Sequence, residues 1–232
     1  AGGIHIKAGQ DPSLGYVLGC KLSLGSTLLG YTGGSHGGTL AIQAPLIQVG
    51  GTALHADTLL LQPDFFTKGG FRDYKLTGLG MATSTAGQFL PAVYIAPGTA
   101  IAPVADTWVV ANSTQLETRV LRAPEGVRPV ANLELAAPGV RGLDGLKIRG
   151  EIVMSAGAAI RTDAYGQVGL HGQAIAVLGT IETPGGRIDI KGADDSFPLL
   201  YGDQTQALTT VFIGSQARLS AAGKRLLLPD PY

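Results

Sequence analysis

Apolar residues that return at every second position, in short runs broken by glycine, constrain this chain more than any other feature. A period of two belongs to extended strands, whose alternate side chains face opposite sides of a sheet. In residues 166–192, GQVGLHGQAIAVLGTIETPGGRIDIKG, Val168 pairs with Leu170 and Ile175 with Val177. Ile181 stands alone, and Ile188 with Ile190 restart the series while Arg187, Asp189 and Lys191 point the other way. The pattern closes on itself after about twenty residues, the mark of a repeat.

The same template scans along the rest of the chain. Leu40 with Ile42, Ile47 with Val49, then Leu54, then Leu59 with Leu61 fall at nearly the same offsets. Leu146 with Ile148, Ile152 with Met154, and Ile160 lead into Val168, and near the start Ile4 with Ile6 and Leu22 with Leu24 lead to Leu40. A further signature, two spaced apolar residues and then a small-residue turn, recurs as VYIAPGTAIA, IVMSAGAAIRT and VFIGSQARLSA. Self-similarity of this kind predicts a solenoid. A leucine-rich repeat needs a fixed Asn or Cys after its strand, and none recurs. A β-sandwich would not give parallel copies of one template. The expectation is therefore an all-β parallel β-helix of roughly 20-residue coils with loop protrusions, in which glycine, 35 of 232 residues, supplies the turns. It forms one domain over residues 1–232, less regular at about 62–145 and 192–210. Leu146, Val168 and Ile188 are predicted to stack in its interior.

Charge excludes some partners. Lys plus Arg equals Asp plus Glu at 17 each, so the chain lacks the basic footprint of a nucleic-acid or anionic-membrane binder. No apolar run is long enough for a membrane span, and AGGIHIKAGQ lacks the regions of a signal peptide, which reads as a mature or excised piece. Cys20, in YVLGC, has Lys7, Gln10 and Asp11 upstream, which speaks against a lipoprotein signal and for a small core residue.

Two stretches are candidate contact loops. QPDFFTKGGFRDYKLTGLG gathers Phe65, Phe66, Phe71 and Tyr74, which read as a cap on the coil stack or, alternatively, a sugar-stacking platform. GADD offers Asp194 and Asp195, on a protruding turn. A hydrolase would need clustered aspartates followed by a histidine, but His36 and His171 both precede the aspartate pair. A calcium-dependent lyase would need Asp163, Glu182, Asp189 and Asp203 on one face, which only a freely chosen register provides. The histidines His5, His36, His55 and His171 lack metal-ligand spacing and read as outward strand or turn positions. No catalytic residue, cofactor or metal ligand is assigned.

FFTKGGFRDYKLTG, RPVANLELAAPG, GAAIRTDAYGQVGLHGQAIAVLGTIETPGGRIDIKG and VFIGSQARLSAAG, in that order, resemble the shaft of the filamentous-haemagglutinin-like exoproteins of Gram-negative bacteria. The resemblance implies a right-handed β-helix within a very long adhesin, exported through an outer-membrane two-partner transporter to the medium or the outer cell surface. It implies attachment to a host or neighbouring cell through an unknown receptor. The asparagine-rich motif of the family's secretion domain is missing, so the chain reads as an internal segment. Two alternatives stand beside the adhesin: a polysaccharide lyase or glycoside hydrolase of the β-helix class, and the stalk of a contact-dependent toxin delivery protein. Ile4 and Ile6 at one end, and Pro229 and Pro231 at the other, predict weak end-to-end self-association through the N-terminal edge.

Overall fold

The structure, a computed structural model, describes residues 2–9, 21–33, 37–83, 88–112, 114, 117–141, 147–193 and 209–226. Three parallel sheets carry the architecture. The first stacks six strands: Gly3–Lys7, Gly38–Ala44, Phe71–Gly78, Asn132–Ala137, Gln167–Gly172 and Arg187–Lys191. The second stacks Thr58–Leu61, Leu46–Val49, Val93–Ile95, Glu151–Met154, Ala174–Val177 and Val211–Ile213. The third stacks Ala100–Ile101, Ala159–Arg161, Thr180–Glu182 and Arg218–Ser220. The chain visits them in turn, so the three copies of the small-residue signature become the second-to-third sheet turns of different levels.

The two-residue period becomes columns. Ile4, Leu40, Tyr74, Leu133, Val168 and Ile188 are register partners through the first sheet, and Ile6, Ile42, Leu76, Leu135, Leu170 and Ile190 form a second column. Ile47, Val93, Ile152 and Ile175 line the second sheet, and Ile101, Ile160 and Ile181 the third. All seven of those residues are buried in one continuous core.

Spacing departs from expectation. The partners from Ile4 to Ile188 lie 36, 34, 59, 35 and 20 residues apart, so only the Val168-to-Ile188 step has the predicted length. The added residues leave at corners. Between the first and second sheets, Met81–Ala82 pairs with Phe89–Leu90 and Val140–Arg141 with Lys147–Ile148 as antiparallel hairpins. Leu79, Val140 and Ile148 bury a small core of their own, with Phe89 against it. The feet of these excursions meet closely: a Cβ on Gly150 would lie 2.1 Å from the Ala137 carbonyl oxygen, so the main core closes behind the loop.

Other expectations are corrected. The interior residue beside Val168 is Leu133, while Leu146 lies outside the described residues. Leu22 and Leu24 pack on the core without forming a strand, and Leu54 is exposed in a turn. Within residues 62–145, strands of all three sheets alternate with hairpins at residues 81–90 and 107–121.

The two ends differ. After Leu46–Val49 the chain steps back and lays Thr58–Leu61 on the far side of that strand. Gln48 braces the connection, donating to the carbonyls of Gly50 and Thr52 and accepting from the Leu54 amide. The 3-10 turn Pro63–Thr67 then drives Phe66 into the core, where it meets Tyr74 edge-on at 5.3 Å between ring centroids. Leu22, Leu24 and Leu28 pack onto the same core. At the opposite end, Ile213 and Leu219 continue the interior columns yet are each 41% exposed. Among the described residues Ile213 and Leu219 are therefore exposed apolar positions at this end, while Gly3–Lys7, with Ile4 and Ile6 half-buried, is an edge strand of the first sheet.

Tyr74 gives this cap a pH signature. Its hydroxyl donates to the Lys68 carbonyl at 3.1 Å, and burial, reinforced by Asp106, raises its ionisation well above the ordinary phenol value. Folding therefore favours the neutral phenol: the contribution is whole below pH 10.0, the unfolded value, and is lost as pH rises beyond it. Tyr74→Phe should cost about 1 kcal/mol at neutral pH for the lost hydrogen bond. It should also flatten the decline of stability above that pH in urea melts. An equally steep decline in both proteins would assign the alkaline transition to another group.

Candidate functional site

The outward positions of the first sheet line an open trough of about 760 Å³. One outward column reads Gly3, Thr39, Asp73, Asn132, Gln167 and Arg187, and the next His5, Ala41, Lys75, Glu134, Gly169 and Asp189. These residues reach the same face because each lies one position from an interior residue in a strand of period two.

Their side chains join across levels. Asn132 Nδ2 donates to Asp73 Oδ1 at 2.7 Å, while its Oδ1 accepts from the Gln167 amide at 3.0 Å. Lys75 lies 3.4 Å from Glu134, and Arg187 donates to Asp189 at 3.1 Å. Between these pairs the column has a gap at Gly169. The imidazole of His171 leans across it: a Cβ on Gly169 would meet its Cε1 and Nε2 at 3.4 Å. From there His171 Nδ1 is 3.6 Å from Glu134 and Nε2 is 3.7 Å from Asp189. The result is a row of partly exposed charges and amides that face one another across levels, with His171 Nε2 buried and without a hydrogen-bond partner among the described residues.

The other predicted site residues lie elsewhere. Phe66, Phe71 and Tyr74 are buried and Phe65 half-buried, and Phe65 and Phe71 also line a separate hollow with Tyr31 and Lys68. Asp163 is held bidentately by Arg128, both bonds at 2.6 Å, and this pairing raises the guanidinium's ionisation further. Glu182 lies on the third sheet between Arg161 and Arg218, and Asp189 on the first. The lyase face proposed for these carboxylates is therefore divided among three places. Asp194, Asp195, Asp203, His36 and Cys20 lie outside the described residues. His5 and His171 occupy outward strand positions and His55 a turn. Among the described residues, no group of three or more His, Cys, Asp or Glu is placed to hold a metal ion, and no helix is long and apolar enough to cross a membrane.

Charge pairs also tie down the long excursion before Asn132–Ala137. Arg122 binds both oxygens of Asp106 at 2.9 Å and the Thr67 carbonyl. Glu125 accepts from Lys224 and from the Ala164 amide, which hold its carboxyl below the usual carboxylate range. One exposed feature escaped the sequence reading. Thr107–Asn112 and Glu117–Leu121 form a hairpin that carries the chain's one tryptophan, Trp108, 45% exposed and stacked on Tyr31 at 6.0 Å. The β-branched and aromatic run TWVVAN ahead of a polar turn was its signal.

No family model, curated protein or solved structure matches the chain. Fold and site are thus read from the residues themselves.

Proposed function

We propose that the chain is a shaft segment of a large secreted bacterial surface adhesin, folded as a right-handed parallel β-helix. The observation that carries the reading is the set of interior columns, in register from Ile4 to Ile188. Parallel strands joined by crossovers take the right-handed sense almost without exception, which supports the handedness. In this reading an outer-membrane two-partner transporter exports the full-length protein, and the surface it presents attaches to a host or neighbouring cell. A toxin-delivery stalk would share the same shaft.

Two measurements test it. A repeat structure tolerates loss of a whole repeat, since each level contacts only its neighbours. Deleting residues 167–186 joins Gly166 to Arg187 and removes one level in register. That variant should melt cooperatively near the parent, whereas deletion of 167–176, half a level, should not fold. Similar behaviour of the two deletions would overturn the repeat. In the producing bacterium, an antibody against this segment should label intact cells. Labelling only after permeabilisation would overturn the surface assignment.

A further inference from the structure

We propose that the Glu125–Lys224 ion pair is a latch that clamps two layers of the stack which are not neighbours, so that the layers between them part together while it is closed and one by one once it opens. The inference rests on the stacked turns and not on the adhesin reading.

Three layers lie on one another where the chain passes from the third sheet towards the first. The Tyr165 amide donates to the Pro184 carbonyl and the Arg187 amide to the Gly166 carbonyl, which sets the turn of residues 183–186 on that of residues 163–166. The Thr183 amide donates to the Ser220 carbonyl and the Gly185 amide to those of Ala221 and Ala222, which adds the third layer. In a plain repeat stack each layer touches only its neighbours. Here Glu125 accepts from the Ala164 amide of the first layer and from Lys224, which follows the third. The ion pair therefore skips the middle layer.

The two sides of the latch are held unequally. Glu125 lies within a turn closed by the Val127 and Arg128 amides on the Pro124 carbonyl. Arg122 pins that turn to Asp106 on one side and Arg128 pins it to Asp163 on the other, each through two bonds. Lys224 reaches this fixed base with a side chain that is 47% exposed. The third layer can leave the second only by breaking the pair. Lys224, the Ala164 amide and Arg128 hold the Glu125 carboxyl below the usual carboxylate range, so it is ionised at neutral pH. An ion pair this exposed is screened by salt, which makes the latch releasable.

The test is amide hydrogen exchange of the folded chain, followed by NMR. The Thr183 and Gly185 amides bridge the second and third layers, and those of Tyr165 and Arg187 the first and second. Lys224→Met should speed exchange at Thr183 and Gly185 about twofold to fivefold, the range for one partly exposed ion pair, and leave Tyr165 and Arg187 at their parent rates. Glu125→Gln keeps an oxygen for the Ala164 amide and lies two layers away from Lys224, yet it should speed the same two amides by the same factor. The double variant should go no further than either. Sodium chloride at ~1 M should act on the parent as the substitutions do, and on Lys224→Met hardly at all. Should Glu125→Gln not fold, the salt responses of the parent and of Lys224→Met decide. The inference is overturned if folded Glu125→Gln leaves Thr183 and Gly185 unchanged, if the two substitutions add, if all four amides speed up equally, or if salt acts alike on the parent and Lys224→Met.

Discussion

Leu133→Asp should abolish the folded state, while Ile188→Asp, in the same column, should leave it largely intact. Leu133 is buried between Tyr74 and Val168, with levels on both sides and no cation among its register partners. Substitution forfeits about 1.5 to 3 kcal/mol of apolar burial. It also strands a carboxylate away from water, at several kcal/mol more. Against a total stability of ~5–15 kcal/mol, that sum removes most or all of the margin. Ile188 sits on the last level of the first sheet and is only half-buried. Its aspartate can turn to solvent, for an expected loss of about 1 to 2 kcal/mol. Urea melts followed by far-UV circular dichroism would separate the two. Equal losses would mean that the column does not end where the structure places its end.

Gly186→Ala should be nearly as severe, for a backbone reason. The Thr183–Gly186 turn stacks on the Asp163–Gly166 turn of the preceding level, each closed by its own hydrogen bond. A Cβ on Gly186 would lie 1.9 Å from the Gly166 carbonyl oxygen, which already accepts from the Arg187 amide at 3.0 Å. Backbone cannot rotate away as a side chain would, so the levels must part. The expected cost is about 3 to 5 kcal/mol. Gly98 is the control: its φ is +70°, but a Cβ there meets nothing within 4 Å. Alanine at Gly98 should cost only the left-handed penalty, about 1 to 2 kcal/mol. Matching midpoints for the two variants would show that the turn stack absorbs the added methyl.

These two substitutions mark what sequence could and could not disclose. Alternation placed Leu40 with Ile42, Ile152 with Met154 and Val168 with Leu170 on the interior face, because period two is a local property of a strand. It did not assign them to levels. Leu59 and Leu61 follow Ile47 and Val49 in sequence yet lie beneath them, since the face a residue points to says nothing about which neighbour its strand chooses. The length of each step was hidden for a related reason. The 20-residue step is genuine between Val168 and Ile188, but corner excursions stretch the others, and a hairpin such as the one at Phe89 has the alternation of any strand. The trough was the least legible feature. Asp73, Glu134 and Asp189 share a face only once spacings of 59 and 35 residues are resolved into neighbouring rungs, and no local pattern records that. The aromatic cluster was legible as packing residues, because four large rings within ten residues need apolar surface to cover, and three of them are buried.

The corner excursions have a mechanical meaning for a structure loaded along its stacking axis. In these sheets the hydrogen bonds run along that axis and the covalent chain runs across it, so tension falls on the bonds between levels. A level that detaches pays out its own contour, at most ~3.3–3.6 Å for each residue released. The step from Tyr74 to Leu133 holds 59 residues and that from Val168 to Ile188 holds 20, so the first releases nearly three times the length of the second. The hairpins and the arginine-anchored loop are stored rope: under a pull, the molecule would lengthen by unequal steps, with its longest reserve between those two strands of the first sheet.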